Sequence, residues 1–192
     1  IEMIEEYKQY GQIILFEDTR NTAFSSTFID HYNSFMIALE YLYKKGHRKI
    51  GYCIGRRTGM NSKQREAAYI DFHKKYNESI SSDFVFDNCY YFEDGERVVQ
   101  SMLNLKERPT ALLVTSDEVA AGVQTCCNDY GIAIPQDLAI IGFDNQPIAK
   151  VMKLTTVEIP LREVGKKLFI QASNSEITQE EIAFKLIERQ TV

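Results

Sequence analysis

A strand, a helix and a second strand can be read in unbroken order between residues 111 and 144, and this one unit confines the chain to a layered α/β architecture. The run 111–115 is apolar, Ser116 is placed to cap a helix that Asp117 and Glu118 open, and Gly131 is placed to close it. Pro135 forbids continuation before the apolar run 138–142 begins, and that run reads as a buried strand. Asp117 and Asp144 therefore fall at the carboxyl ends of strands. In open parallel sheets that edge receives ligands, so both acids are candidate contacts as well as candidate turn or first-turn residues.

The rest of the chain repeats the pattern. Residues 1–10 read as a helix that leads into a strand at 11–16, and 26–30 as a second strand. A helix at 32–45, closed by Gly46, carries Phe35, Leu39 and Leu42 as a core stripe. A strand at 49–54 runs into a loop containing glycine and arginine, and Ser62 is a candidate cap for a helix to about residue 76. A strand at 84–91, a helix at 94–105, an extended stretch at 154–158, a helix from Pro160 to about 173 and a strand at 183–188 complete the order. The predicted class is α/β, with parallel sheets and flanking helices.

Charge and cysteine content exclude several functions. With 22 basic against 27 acidic residues, the formal net charge of -5 argues against this chain itself neutralising many nucleic-acid phosphates. Cys53, Cys89, Cys126 and Cys127 form no Cys-x-x-Cys pair and read as buried free thiols of a cytoplasmic protein. No apolar run is long enough for a membrane span, the start lacks the order of a signal peptide, and a chain opening on Ile1 in mid-helix reads as truncated. His31, His47 and His73 are scattered without partners at ligand spacing, so neither a metal nor a cofactor is expected. No nucleophile–base pair can be drawn; Ser25-Ser26 and Ser81-Ser82 sit in turn-like stretches without a nucleophile elbow, and an enzyme is not expected. The basic cluster from Lys44 to Lys49 stands at a helix end, where cations complement the dipole.

Six short segments in order carry a resemblance. They are Gly-His-Arg-Lys-Ile-Gly-Tyr at 46–52, Arg-Glu-Ala-Ala-Tyr at 65–69, Ser-Asp-Glu-Val-Ala-Ala-Gly at 116–122, Ile-Pro-Gln-Asp at 134–137, Ile-Gly-Phe-Asp-Asn at 141–145 and Leu-Thr-Thr-Val at 154–157. Over nearly its whole length the chain resembles the effector-binding core of LacI/GalR-type bacterial transcription regulators, whose fold is that of periplasmic sugar-binding proteins. The resemblance implies chain crossings between two lobes near Ile29, near 157–159 and near Ile182. Residues 30–157 and 183–192 would form a C-terminal lobe, and 1–28 and 159–181 part of an N-terminal lobe that exposes Ile13, Ile14, Leu168 and Phe169. It also implies an operator-binding head that this chain lacks.

On the same resemblance a small effector, a sugar or sugar phosphate, sits between the lobes and changes how a homodimer presents its DNA heads. Arg65 matches a cleft-facing arginine, whose five donors suit hydroxyls or a carboxylate. Asp144 would accept hydroxyl or N–H groups. Tyr90 stands where the resemblance puts an aromatic platform, and strand alternation would send Tyr91 to the opposite face, leaving one of the two in the core. Ser116 is a contact or a cap, and Asp117 a contact or a dipole-complementing acid. Glu17 or Asp18 would face the cleft from the other lobe, and Ile159 would make its wall more apolar. The dimer face would use the helix from Asp117, including Ala121, the helix after Gly95, and the stretch from Pro147, so Ala121→Glu should give monomers. The competing reading is an extracytoplasmic sugar-binding protein of a transporter, which the free cysteines disfavour.

Overall fold

The computed structural model describes residues 2–18 and 23–192, and Ile1 lies outside them. In chain order the first elements are α1 (Glu2–Glu5), a short 3-10 helix (Glu6–Tyr10), β1 (Ile14–Leu15), β2 (Ser25–Phe28) and α2 (His31–Lys44). There follow β3 (Ile50–Cys53), α3 (Met60–Tyr76), β4 (Val85–Phe86), α4 (Asp94–Leu103), β5 (Ala111–Val114) and α5 (Asp117–Asp129). The last are β6 (Ala139–Asp144), α6 (Pro147–Val151), β7 (Thr155–Glu158), α7 (Leu161–Ser173), β8 (Gln179–Glu181) and β9 (Lys185–Ile187). Two compact units result: Ile1–Asp30 with Ile159–Phe184, and His31–Glu158 with Lys185–Val192.

The larger unit is built on a six-stranded sheet of order β4-β3-β5-β6-β7-β9, parallel except for β9, which pairs antiparallel with β7. Every residue of β3 and β5 is buried, which is why their sequences are apolar without alternation. Phe35, Leu39 and Leu42 of α2 and Phe72 of α3 are fully buried, and each such side chain contributes roughly 1.5–3 kcal/mol of transfer free energy. Helix α2 stops at a left-handed Gly46, whose N–H donates to Tyr43 O while His47 N–H reaches Leu42 O. Arg48, just beyond, lies 3.6 Å over the Tyr43 ring, and Lys45 and Lys49 pair with Glu188 and Glu107. The basic cluster is thus engaged within the chain.

Helices α4 and α5 meet backbone to backbone. A Cβ on Gly95 would overlap the Gly122 backbone, and one on Gly122 would overlap the carbonyl of Phe92. Gly95 is therefore a packing residue, not an interface residue. Ala121 is likewise buried inside the unit, so it too presents nothing to a partner. Pro147, the first residue of α6, is exposed.

Four local expectations change. Helix α3 starts at Met60 with Gly59 before it, and Ser62 lies inside the first turn instead of capping it. The strand expected at 84–91 shrinks to two residues, because β4 is an edge strand that pairs with β3 only through Val85 and Phe86. The strand expected at 11–16 likewise shortens to Ile14–Leu15. Ser25 and Ser26 lie in a buried strand, not a turn.

The smaller unit holds a three-stranded parallel sheet of order β1-β2-β8 with α7 packed on it. Strand β8 was not foreseen, since Gln179, Glu180 and Glu181 have no apolar pattern. Beside the buried Phe24, Ile29, Val164 and Ile182, polar bonds join the elements of this unit. Buried Gln171 of α7 accepts from Thr27 Oγ1 at 2.9 Å and donates to Ser26 O at 2.9 Å and Thr178 O at 3.1 Å. Ile13, Ile14 and Leu168 are half-buried, and Phe169 is 73% exposed.

Candidate functional site

The carboxyl edge of the larger sheet gathers Arg65, Phe143 and Asp144. Arg65 arises in the second turn of α3, and its guanidinium lies 4.3 Å over the ring of Phe143, the penultimate residue of β6. Its Nη2 is 3.2 Å from His31 Nδ1 at the start of α2, and His31 stacks on the same Phe143 ring. Burial pulls the Arg65 guanidinium down to about 10, while the nearby Asp144 carboxylate opposes that fall, so it stays charged at neutral pH. Its Nε is buried without a partner. A buried, unpaired donor is costly unless a bound molecule satisfies it.

Asp144 ends β6 with a φ of 97°, and Asn145 follows at 54°, two consecutive left-handed residues that are not glycine. Burial raises the Asp144 carboxyl above its usual range, and Arg65 draws it back. Beneath the pair, Tyr52 is fully buried among Phe35 and Tyr69, its hydroxyl unpartnered and pushed up to about 12 by burial. The arrangement offers fixed donors, one acceptor and aromatic faces to a small polar molecule.

Tyr90 sits at the same edge, its ring against Gly55 just past β3; a Cβ there would come within 2.9 Å of Tyr90 Cε1. It is in a loop, not a strand. Asp94 Oδ2 accepts the N–H groups of Tyr90 and Tyr91 at 2.8 and 2.9 Å, and Arg97 donates to Asp87 O and Asn88 O. Those two N–H groups hold the Asp94 carboxyl below its usual range. Because the strand has ended, the alternation argument fails and both tyrosines are exposed, Tyr90 by 44% and Tyr91 by 66%.

Asp117 does not join this group. It is fully buried below the edge, with Oδ1 accepting from Thr156 Oγ1 at 2.6 Å and Oδ2 from Gln146 N at 2.7 Å. Burial pushes its carboxyl up to about 6 against the pull of those two bonds. It is a strut between α5, β7 and the turn after β6, fully buried with both oxygens engaged. Ser116 caps α5 by accepting from Glu118 N at 3.2 Å. Glu17 is exposed two residues past β1, in the other compact unit. Ile159 is buried.

Sequence reasoning missed Phe143 and His31 as partners of Arg65, and Arg189 as a partner of Asn145. The signal for Phe143 was its place beside Asp144; nothing in the pattern joined the other two. Among the described residues no three His, Cys, Asp or Glu side chains come together as a metal site requires, and no helix is long and apolar enough to cross a membrane. All four cysteines are buried and free. A hollow of about 660 Å³ opens at the opposite, amino edge of β3, but its Arg48 and Lys49 are paired with its own Glu78 and Glu107.

The chain is similar to bacterial transcription regulators. It is 33% identical over 186 residues to the uncharacterized HTH-type transcriptional regulator YkvZ of Bacillus subtilis, covering 95% of this chain and 58% of that protein. It is 29% identical over 204 residues to the HTH-type transcriptional repressor PurR of Klebsiella pneumoniae, covering 100% of this chain and 59% of the repressor. The chain therefore spans little more than half the length of these relatives. A LacI family transcriptional regulator from Lactobacillus casei with bound sucrose superposes with a TM-score of 0.80 at 25% identity, over 100% of this chain and 83% of that one. A profile described as periplasmic binding protein-like domain matches residues 39–192, and the chain belongs to that family.

Proposed function

We propose that this chain is the effector-sensing part of a cytoplasmic bacterial transcription regulator, a repressor, that binds a sugar or sugar phosphate at the carboxyl edge of the larger sheet. Arg65 and Asp144 are its principal contacts and Tyr90 its flat wall. The observation that carries this reading is the buried Arg65 guanidinium, seated on Phe143 beside Asp144 with an unsatisfied Nε. Such a site has most to gain from a ligand that brings hydroxyl or anionic acceptors to the arginine and donors to the carboxylate. The regulator relatives and the sucrose held by the similar Lactobacillus casei protein support the choice of ligand class.

Regulation then needs only that the effector bind two arrangements of the protein unequally. Operator DNA is met by a head in the length of the relatives that this chain does not span, and the working unit is a homodimer. Its interface lies elsewhere than at Ala121 and Gly95, since both are buried within one chain. The test is a thermal-shift screen of the full-length protein against sugars, sugar phosphates and purines, repeated with Arg65→Ala and Asp144→Ala. A stabilising hit lost in both variants is expected. A hit that survives both would move the site away from this edge.

A further inference from the structure

The turn that carries Asp144 is bonded to residues at both later chain crossings between the compact units. Glu158 is the last residue before one crossing and Lys185 the first after the other. Asn145 donates from Nδ2 to Glu158 Oε1 at 2.8 Å, and Glu158 Oε2 pairs with Lys185 Nζ at 3.0 Å. On its other side Asn145 Oδ1 accepts from Arg189 Nη2 at 2.6 Å. Arg189 is itself fixed from two more directions: Nη1 donates to Leu154 O at 2.6 Å and its backbone N–H to Thr155 Oγ1 at 2.9 Å. Gln146 N, next in the turn, is held by Asp117 at 2.7 Å. Asp144 and Asn145 keep positive backbone φ angles, which Asp and Asn reach more readily than other residues with a Cβ, and these bonds surround them.

We propose that Asn145 and Arg189 are positioning residues, which hold the Asp144 carboxylate at the sheet edge and tie it through Glu158 and Lys185 to the two crossings. The proposal rests on reading Asp144 as an effector contact. An effector bonded to Asp144 acts on a turn whose neighbouring side chain is bonded to the crossings, and by linkage a change at the crossings must act back on Asp144 with equal free energy. That reciprocity can be measured without any effector.

The measurement is the titration of Asp144 by carboxyl-carbon NMR in the full-length protein, for the wild type, Asn145→Gly and Lys185→Met. Glycine accepts the φ of 54° freely, so Asn145→Gly removes both side-chain bonds without straining the backbone. Asp144 faces Arg65 from α3 and lies near Asp117 from α5, and both are unchanged in these variants. Release of the turn should expose the carboxyl to water and lower its titration point by about half a pH unit or more in Asn145→Gly. Lys185→Met, at the distant end of the chain of bonds, should move it by less. An unchanged titration in Asn145→Gly would overturn the proposal, and if that variant does not fold, an unchanged titration in Lys185→Met would overturn it. Because no ligand enters this measurement, it separates from the sugar screen: a failed screen with a shifted titration removes the effector reading alone.

Discussion

Every residue of β3 and β5 in the larger unit is buried, whereas no residue of β1 or β8 in the smaller unit is. The smaller sheet is parallel and the larger is parallel but for its edge strand β9, and both come from strand-and-helix sequence. The difference lies in what covers them. Helices α2 and α3 on one side and α4 and α5 on the other give the larger sheet an apolar interior, with Phe35 and Val114 among its fully buried residues. The smaller unit buries fewer apolar side chains, among them Phe24, Ile29, Val164 and Ile182, and adds the bonds among Gln171, Thr27, Ser26 and Thr178, each contributing about 0.5–1.5 kcal/mol net. A buried leucine or phenylalanine contributes roughly 1.5–3 kcal/mol. The comparison teaches that stability is concentrated in the larger unit and that the candidate effector edge is mounted on it.

The sharpest way to break that comparison is Ala121→Glu. It forces a charge into the packed α5, and the expected outcome is loss of the larger unit's fold, not a folded monomer. Circular dichroism with sedimentation tells the two apart, and a folded monomer would reinstate Ala121 as an interface residue. Leu39→Ala comes next, with an expected cost of about 2–5 kcal/mol in urea unfolding, because Leu39 is fully buried in α2.

Asp117→Asn sharpens the comparison inside the larger unit. The carboxyl stands at about 6 in the fold, against about 3.9 when unfolded, so its favourable contribution is complete below about 4 and is lost as pH rises through about 6. Removing the titration should abolish a fall in stability on the order of 3 kcal/mol across that window, read from urea unfolding at several pH values. Persistence of the full slope in the variant would assign it to another group. The smallest effect is expected for Phe169→Ser in α7, under about 0.5 kcal/mol, since that ring is 73% exposed. A cost near that of Leu39→Ala would mean the ring is covered in solution.

The sequence by itself determined the α/β class, the succession of strands and helices through the larger unit apart from the short α6, and the arrival of Asp144 at a strand's carboxyl end. These depend on apolar runs, caps and glycine stops, which act over a few residues. Ser116 as a cap and Gly46 as a stop were legible for that reason. Tertiary structure alone decided the rest. Asp117 and Asp144 have equivalent positions by spacing, yet Asp117 is a fully buried strut and Asp144 faces Arg65, because Thr156 Oγ1 and the backbone N–H of Gln146, 39 and 29 residues away in sequence, close on Asp117. Tyr90 and Tyr91 left their expected strand because β4 has a single neighbour and Asp94 takes over their N–H groups. Ala121 and Gly95 turned inward because α4 and α5 approach at glycines. The bonds from Asn145 to Glu158 and Arg189 span 13 and 44 residues, and no local pattern encodes which distant side chain will satisfy a buried or strained group. Local sequence fixes conformation, whereas the identity of a partner is settled only when the layers pack.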